Sequence, residues 1–233
     1  MRGCLLVVVA LGGCRGFFDV PPVSPDAAAQ PDAPSVPVGY VQSAANSVTA
    51  ATSVTVSFPL GQHMGNSNLL VIGWAGGAIQ SISDGHHNTY GAATGQIQAG
   101  DGWTQQIYLA NNIDVGTDTV NVSFTASTYI HLGVFEYTGI AGVDTSAGTA
   151  GTASDSPQSG ALTTTNAHDL LFAALTSQNM VNTTLINSYT TRLSSAEYVM
   201  GDQQVTSAGG YLATANANTQ GDWVMQLVAL TAQ

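Results

Sequence analysis

TVNVSF at residues 119–124 and YIHLGVFEY at residues 129–137 decide the fold. In the first stretch apolar and polar residues alternate with a period of two, the mark of a half-buried strand. The second is apolar along most of its length. The pair reads as a hairpin that turns at Ala126-Ser127. The same two textures recur in both directions. Residues 53–58 (SVTVSF) alternate cleanly. Residues 68–74 (NLLVIGW) and 169–176 (DLLFAALT) are short continuous apolar runs, as expected of strands buried on both faces. Residues 79–83, 103–110, 189–193, 197–200, 203–211 and 222–230 complete the set, the last as a central closing strand. Residues 139–159 are rich in Gly, Ser, Thr and Ala and read as a long loop or a pair of edge strands.

No amphipathic helix stands out, and turn clusters recur every 8 to 15 residues or so. The expectation is an all-β chain: an antiparallel β-sandwich of jelly-roll type with about ten to twelve strands. No internal repeat is visible, which disfavours a propeller or a solenoid.

Composition agrees. Only 7% of the 233 residues are charged, against about a quarter in an ordinary globular chain. Surface helices lean on long charged residues, so this scarcity favours strands joined by Gly, Asn and Asp turns. Acidic residues outnumber basic ones by 14 to 3. Arg2 and Arg15 lie near the N-terminus, which leaves Arg192 as the one basic residue of the folded part. Such a chain repels nucleic acid and anionic membrane surfaces. The two cysteines, Cys4 and Cys14, both lie near the N-terminus, so the folded part holds no disulfide.

Met1-Arg2 followed by the apolar run 4–11 and Gly12-Gly13 reads as a secretory signal rather than a membrane span, which needs about 20 apolar residues. Leu11-Gly12-Gly13-Cys14 resembles the lipobox of bacterial lipoproteins. The resemblance implies that residues 1–13 are removed and that Cys14 is lipidated on sulfur and acylated, palmitate included, at its new amino group. Two or more acyl chains anchor a protein stably where one does not. Arg15, rather than Asp, follows the cysteine, which by the sorting rule of some Gram-negative bacteria points to the outer membrane. Residues 14–38 then form a Pro/Asp/Ala-rich tether that extends as polyproline II at roughly 3 Å per residue. Residues 39–233 form the sandwich.

Several stretches are similar to a β-sandwich domain of secreted and surface proteins of bacteria and phages. They are GNSNLLVIGW (65–74), IQSISDGHHNTY (79–90), IYLANNIDVGTDTVNVSF (107–124), FEYTGIAGVDTSA (135–147), SGALTTTNAHDLLFAA (159–174) and SAGGYLAT (207–214), before Trp223. The resemblance implies a jelly-roll-like sandwich with an adhesive or carbohydrate-binding role, and it supplies no catalytic residues. His86-His87 stands where the pattern has small residues.

The densest polar cluster is Asp84-Gly85-His86-His87-Asn88-Thr89-Tyr90. Asp84 and Asn88 offer oxygen ligands to Ca²⁺, with Asp101 or Asp144 as further donors. The same side chains equally suit hydrogen bonds to their own turn. His86 and His87, with His63 or His131, are weak candidates for a transition metal, because adjacent strand residues point to opposite faces. Glu136 is in phase with Ile130, Leu132 and Val134, and if those face the core it is at least partly buried. It then serves either as a carboxyl with raised pKa or as a structural acceptor, with Arg192 as a conceivable partner. Trp103, Tyr90 and Tyr108 are candidates for a glycan-stacking platform, with the core as the alternative place for Trp103, while Trp74 and Trp223 are expected in the core. Motifs for nucleophilic elbows, zinc proteases, thiol redox sites and phosphate loops are absent.

The leading functional expectation is a non-enzymatic, lipid-anchored envelope protein that binds a glycan or another surface component. Its partners would be a membrane through the anchor and a glycan or surface protein, with no nucleic acid. The alternatives are a structural module of an envelope assembly and a polysaccharide hydrolase.

Overall fold

The structure, a computed structural model, describes residues 38–177, 183–185 and 188–233. The leader, Cys14 and the tether up to residue 37 lie outside the described residues. The strands belong to one compact unit, Ser35–Gln233.

The first half of this unit supplies β1 (Gly39–Ser57), β2 (Ser67–Ala75), β3 (Ile79–Ser83), β4 (Gly91–Ala92), β5 (Ile97–Gln98), β6 (Trp103–Asn111) and β7 (Thr119–Thr138). They form one sheet in the order β1-β7-β2-β6-β4, with β3 on β7 and β5 on β6. The second half supplies β8 (Ile140–Ser154), β9 (Leu162–Thr163), β10 (Leu170–Ser177), β11 (Thr184–Leu185), β12 (Thr190–Ser194), β13 (Tyr198–Gln204), β14 (Gly210–Tyr211), β15 (Ala215–Asn216) and β16 (Gly221–Ala232). Five of these build the other large sheet, in the order β12-β13-β10-β16-β8. The remaining four pair as the ribbons β11-β15 and β14-β9. The described residues contain no helix, and the two large sheets make the expected antiparallel sandwich.

Connectivity is more segregated than a jelly roll, in which consecutive strands pass from sheet to sheet. Here each half of the chain builds its own sheet, and both halves do it in the same way. In each, the last strand (β7 or β16) inserts between the first (β1 or β8) and the second (β2 or β10). The next strands follow outward as β6-β4 and β13-β12. The repeat that the sequence does not display is therefore present in the topology.

The supposed hairpin at Ala126-Ser127 does not form. β7 runs unbroken through it, because Val120, Val122 and Phe124 keep phase with Ile130, Leu132 and Val134 across the small residues between. β1 follows β7 along both halves, with register shifts between Val48 and Ser53. Ala50 there has φ 51°, a conformation non-glycine residues seldom adopt. This bulge bends the paired strands, as such insertions do. Residues 139–159 also resolve: most of them are β8, the edge of the second sheet.

Three apolar clusters follow from alternation. Val71, Phe135, Tyr137, Leu170, Phe172 and Val228 fill the space between the sheets. Leu70, Ile72, Trp74, Leu132 and Val134, on the opposite face of the first sheet, pack with Val54, Val56, Val120 and Val122 from the far ends of β1 and β7. Leu171, Ala173, Met225 and Leu227, on the opposite face of the second sheet, pack with Leu162, Val205 and Ala213 of the second half's short strands and connections. Both central strands, β2 and β10, are consequently buried on both faces.

Candidate functional site

The edge strands β1 and β12 touch on one side of the sandwich. A cavity of about 480 Å³ opens there, lined by Tyr40, Ser188, Thr190, Arg192, Asp202 and Gln203 among others. Arg192, whose Nε and Nη2 donate to the two oxygens of Asp202 at 2.7 and 3.0 Å, sits on β12 opposite β13. Its guanidinium lies 4.2 Å above the Tyr40 ring. The Tyr137 hydroxyl reaches Asp202 from the core at 2.6 Å. Burial, then the Asp202 charge, pushes the Tyr137 phenol far above its ordinary pKa. The hydrogen bond to Asp202 raises that of the guanidinium. The pair neutralises itself, so the cavity presents hydroxyls, amides and one aromatic ring with no net charge.

A second polar group involves the same edge strand. Exposed Ser47 on β1 places Oγ 2.6 Å from Nδ1 of His131 on β7. His131 is 1% exposed and is packed against the rings of Trp103, Tyr129 and Tyr198. Its Nε2 lies 3.3 Å from Glu197 Oε2. That contact is an ion-pair distance without hydrogen-bond alignment, since Nε2 has no partner in bonding geometry. The Tyr129 hydroxyl donates to the same carboxylate oxygen. Burial lowers the His131 pKa, and the Glu197 charge offsets this in part. The imidazole is therefore neutral near pH 7, with Nδ1 able to accept the Ser47 proton.

The residues proposed from sequence are distributed differently from expectation. Trp103 is fully buried and donates its indole N–H to Thr176 Oγ1 at 2.8 Å across the two sheets. It is core and no platform, because its inward position on β6 faces the second sheet. Tyr90 and Tyr108 remain half-buried against the first sheet's outer cluster, and Gly91 and Ala92 pair beside Tyr108. The Tyr108 hydroxyl donates to Gln106. Trp74 and Trp223 are in the core as expected.

Asp84 and Asn88 meet, while Asp101 stands apart and accepts from the Trp103 backbone N–H. Asp84 Oδ1 accepts from the N–H groups of His86 and Asn88, and Oδ2 accepts from Asn88 Nδ2 and the Tyr90 hydroxyl. Burial alone would raise its pKa, but these bonds outweigh it and lower it. Four donors satisfy this carboxylate without a cation. His86 Nε2 contacts the Thr117 carbonyl and His131 is in the core, so the histidines do not converge. Among the described residues no three His, Cys, Asp or Glu side chains cluster as a metal centre.

Glu136 is fully buried. It accepts from Gln42 Nε2 at 2.5 Å, the His63 N–H at 2.9 Å and Asn66 Nδ2 at 2.6 Å. Its partner is not Arg192, which pairs with Asp202 from the other sheet. Glu136 organises the β1–β2 connection, which is its structural reading.

Two carboxyl contacts escaped sequence reasoning. Asp118 meets Asp84 and is raised by burial and then by the Asp84 charge against two opposing hydrogen bonds. Asp169 meets Asp144. Positions 118, 144 and 169 lie in different connections and strands, so spacing carries no sign of either contact. No protein family, curated relative or solved structure matches this chain.

Proposed function

We propose that the chain is a lipid-anchored protein of the cell envelope, held through Cys14, whose sandwich binds a neutral glycan without transforming it. The observation that carries this reading is the cavity between β1 and β12, where a self-neutralised Arg192–Asp202 pair is surrounded by hydroxyl and amide side chains. Its volume of about 480 Å³ falls within the ordinary range of small-ligand sites. Neutral sugars offer many hydroxyls and no charge, which matches such a lining. A glycan array with the purified full chain tests it. Selective binding that is lost in Thr190→Trp, which fills the cavity from the edge strand, supports the proposal. An array without selective binding, or binding unchanged by that substitution, overturns it. The anchor is tested by Cys14→Ala, which should move the protein from the membrane to the soluble fraction.

Hydrolysis of an ester is the second reading, favoured by the Ser47–His131–Glu197 contacts. A nucleophile within reach of a neutral base, itself faced by a carboxylate, is the arrangement such chemistry uses. Ser47 Oγ would add to the ester carbonyl as its proton passes to His131 Nδ1. His131 would return the proton to the departing alcohol, and water would release the acyl group by the same route. A fluorophosphonate that labels Ser47, together with p-nitrophenyl acetate turnover lost in Ser47→Ala, would establish it. No labelling and no turnover would exclude it.

A further inference from the structure

The carboxyl group of Asp169 is completely buried, and neither oxygen has a hydrogen-bond partner. Buried carboxylates are ordinarily paired or surrounded by donors, since burying an uncompensated charge is very costly. Asp84 and Glu136 in this protein obey that rule with four and three donors. The neighbour that Asp169 does meet is another acid, Asp144.

Asp144 is placed there by a bulge. Thr145 pairs with Ala229 and Val143 with Leu230, so Asp144 is the extra residue of β8 between them. A bulge of this kind re-aims a side chain. The Asp144 carboxylate accepts from the Thr165 N–H at 2.6 Å and from Thr165 Oγ1 at 2.5 Å. The connection between β9 and β10 thus folds back onto the edge strand and brings the two carboxyls together. Asp169 precedes β10 in phase with Leu171 and Ala173, which places it on the outer face of the second sheet.

We infer that Asp169 and Asp144 are ligands of one divalent cation, Ca²⁺, which ties the β9–β10 connection to the β8 edge. Two carboxylates facing each other supply oxygen donors of the type a hard cation takes, and Thr165 Oγ1 and backbone carbonyls of the connection are further oxygens at hand. A cation with so few charged ligands binds weakly, in the roughly 0.1–1 mM range of extracellular calcium modules. The competing occupant is a single shared proton.

Calorimetric titration of the calcium-free full chain with CaCl₂ at about pH 7.5 tests this. The expected result is one site of submillimolar to millimolar affinity, a Tm that rises with Ca²⁺ and slower proteolysis in residues 162–169. Asp169→Asn should weaken binding at least about tenfold, as one charged ligand is removed. Asp144→Asn should do the same, and guards against a misfolded first variant. Asp84→Asn should leave the affinity unchanged. No binding up to about 10 mM Ca²⁺, or an affinity unchanged in both Asp169→Asn and Asp144→Asn, would overturn the inference. Glycan binding is read separately, so either result stands without the other.

Discussion

The two sheets share a strand order, and each carries a buried carboxylate that is treated differently from the other's. In the first, the far ends of β1 and β7 bend back to cover the outer face, and the buried carboxylates of Glu136 and Asp84 are met by three and four donors. In the second, short strands and connections cover the outer face, and Asp169 is buried against another acid with no donor. One topology thus carries two solutions. The difference lies between carboxylates and not between whole sheets: Asp202 of the second sheet is met by Arg192 and Tyr137, Asp118 beside Asp84 lacks a partner on one oxygen, and among the described buried carboxylates only Asp169 lacks one on both. The β1–β12 side, where the sheets meet edge to edge, carries the cavity.

The largest expected effect tests whether the halves are one unit. Phe172 of the second sheet packs its ring 4.8 Å from Phe135 of the first. Phe172→Ala should cost about 3–5 kcal/mol, and urea unfolding should remain a single transition. Two transitions would break the comparison, since the halves would then be independent modules.

Glu136→Gln should destabilise by about 2 kcal/mol, because an amide cannot accept from all three donors that now meet a charged acceptor. Chemical denaturation measures it. A neutral result would mean that the first sheet is less dependent on its sealed charge than the hydrogen bonds imply.

Asp169→Asn should behave oppositely. In calcium-free buffer near pH 7.5 it should stabilise by about 1 kcal/mol, since it removes a buried charge without donors. A loss as large as that of Glu136→Gln would erase the contrast between the two carboxylates.

The smallest effects are in pH dependence, where Asp169 and His131 pull in opposite directions. The Asp169 carboxyl, raised to about 6 from 3.8, holds its proton longer folded than unfolded. Its contribution is present at low pH and lost as the pH rises through about 6. His131 is lowered below 6.5, so its contribution is present above 6.5 and lost as the pH falls. Asp84 and Asp144 are lowered and lose their contributions in more acid solution. Between about pH 4 and 6.5 calcium-free Asp169→Asn should therefore gain stability with rising pH more steeply than the parent chain, and His131→Gln less steeply. Thermal melts across this range decide it, and equal slopes in all three would contradict both assignments.

Most strands were legible because alternation and apolar runs reflect which faces are buried. NLLVIGW and DLLFAALT became the doubly covered β2 and β10 for that reason. The failures have physical causes. Ala126 and Ser127 resemble a turn in isolation, yet β1 pairs along both sides of them and keeps the strand extended. Residues 139–159 suited a long loop or a pair of edge strands, and their small side chains left open the single edge strand that most of them form. Trp103 beside Gly102 suited either core or platform; the second sheet buries it, and a facing sheet leaves no mark on the local sequence that would have decided it.

By itself the sequence determined an all-β chain, the burial of Trp74 and Trp223, and a folded part with a single Lys or Arg. These follow from composition and periodicity, which are local. Only the tertiary structure decided that each half repeats one strand order, that Arg192 pairs with Asp202 rather than Glu136, and that Asp169 meets Asp144 while Asp101 stays apart from Asp84. Those outcomes depend on which strands become neighbours. In an antiparallel sandwich, neighbours are drawn from distant parts of the chain, so the pairing of its few charges is set by the fold and not by their spacing.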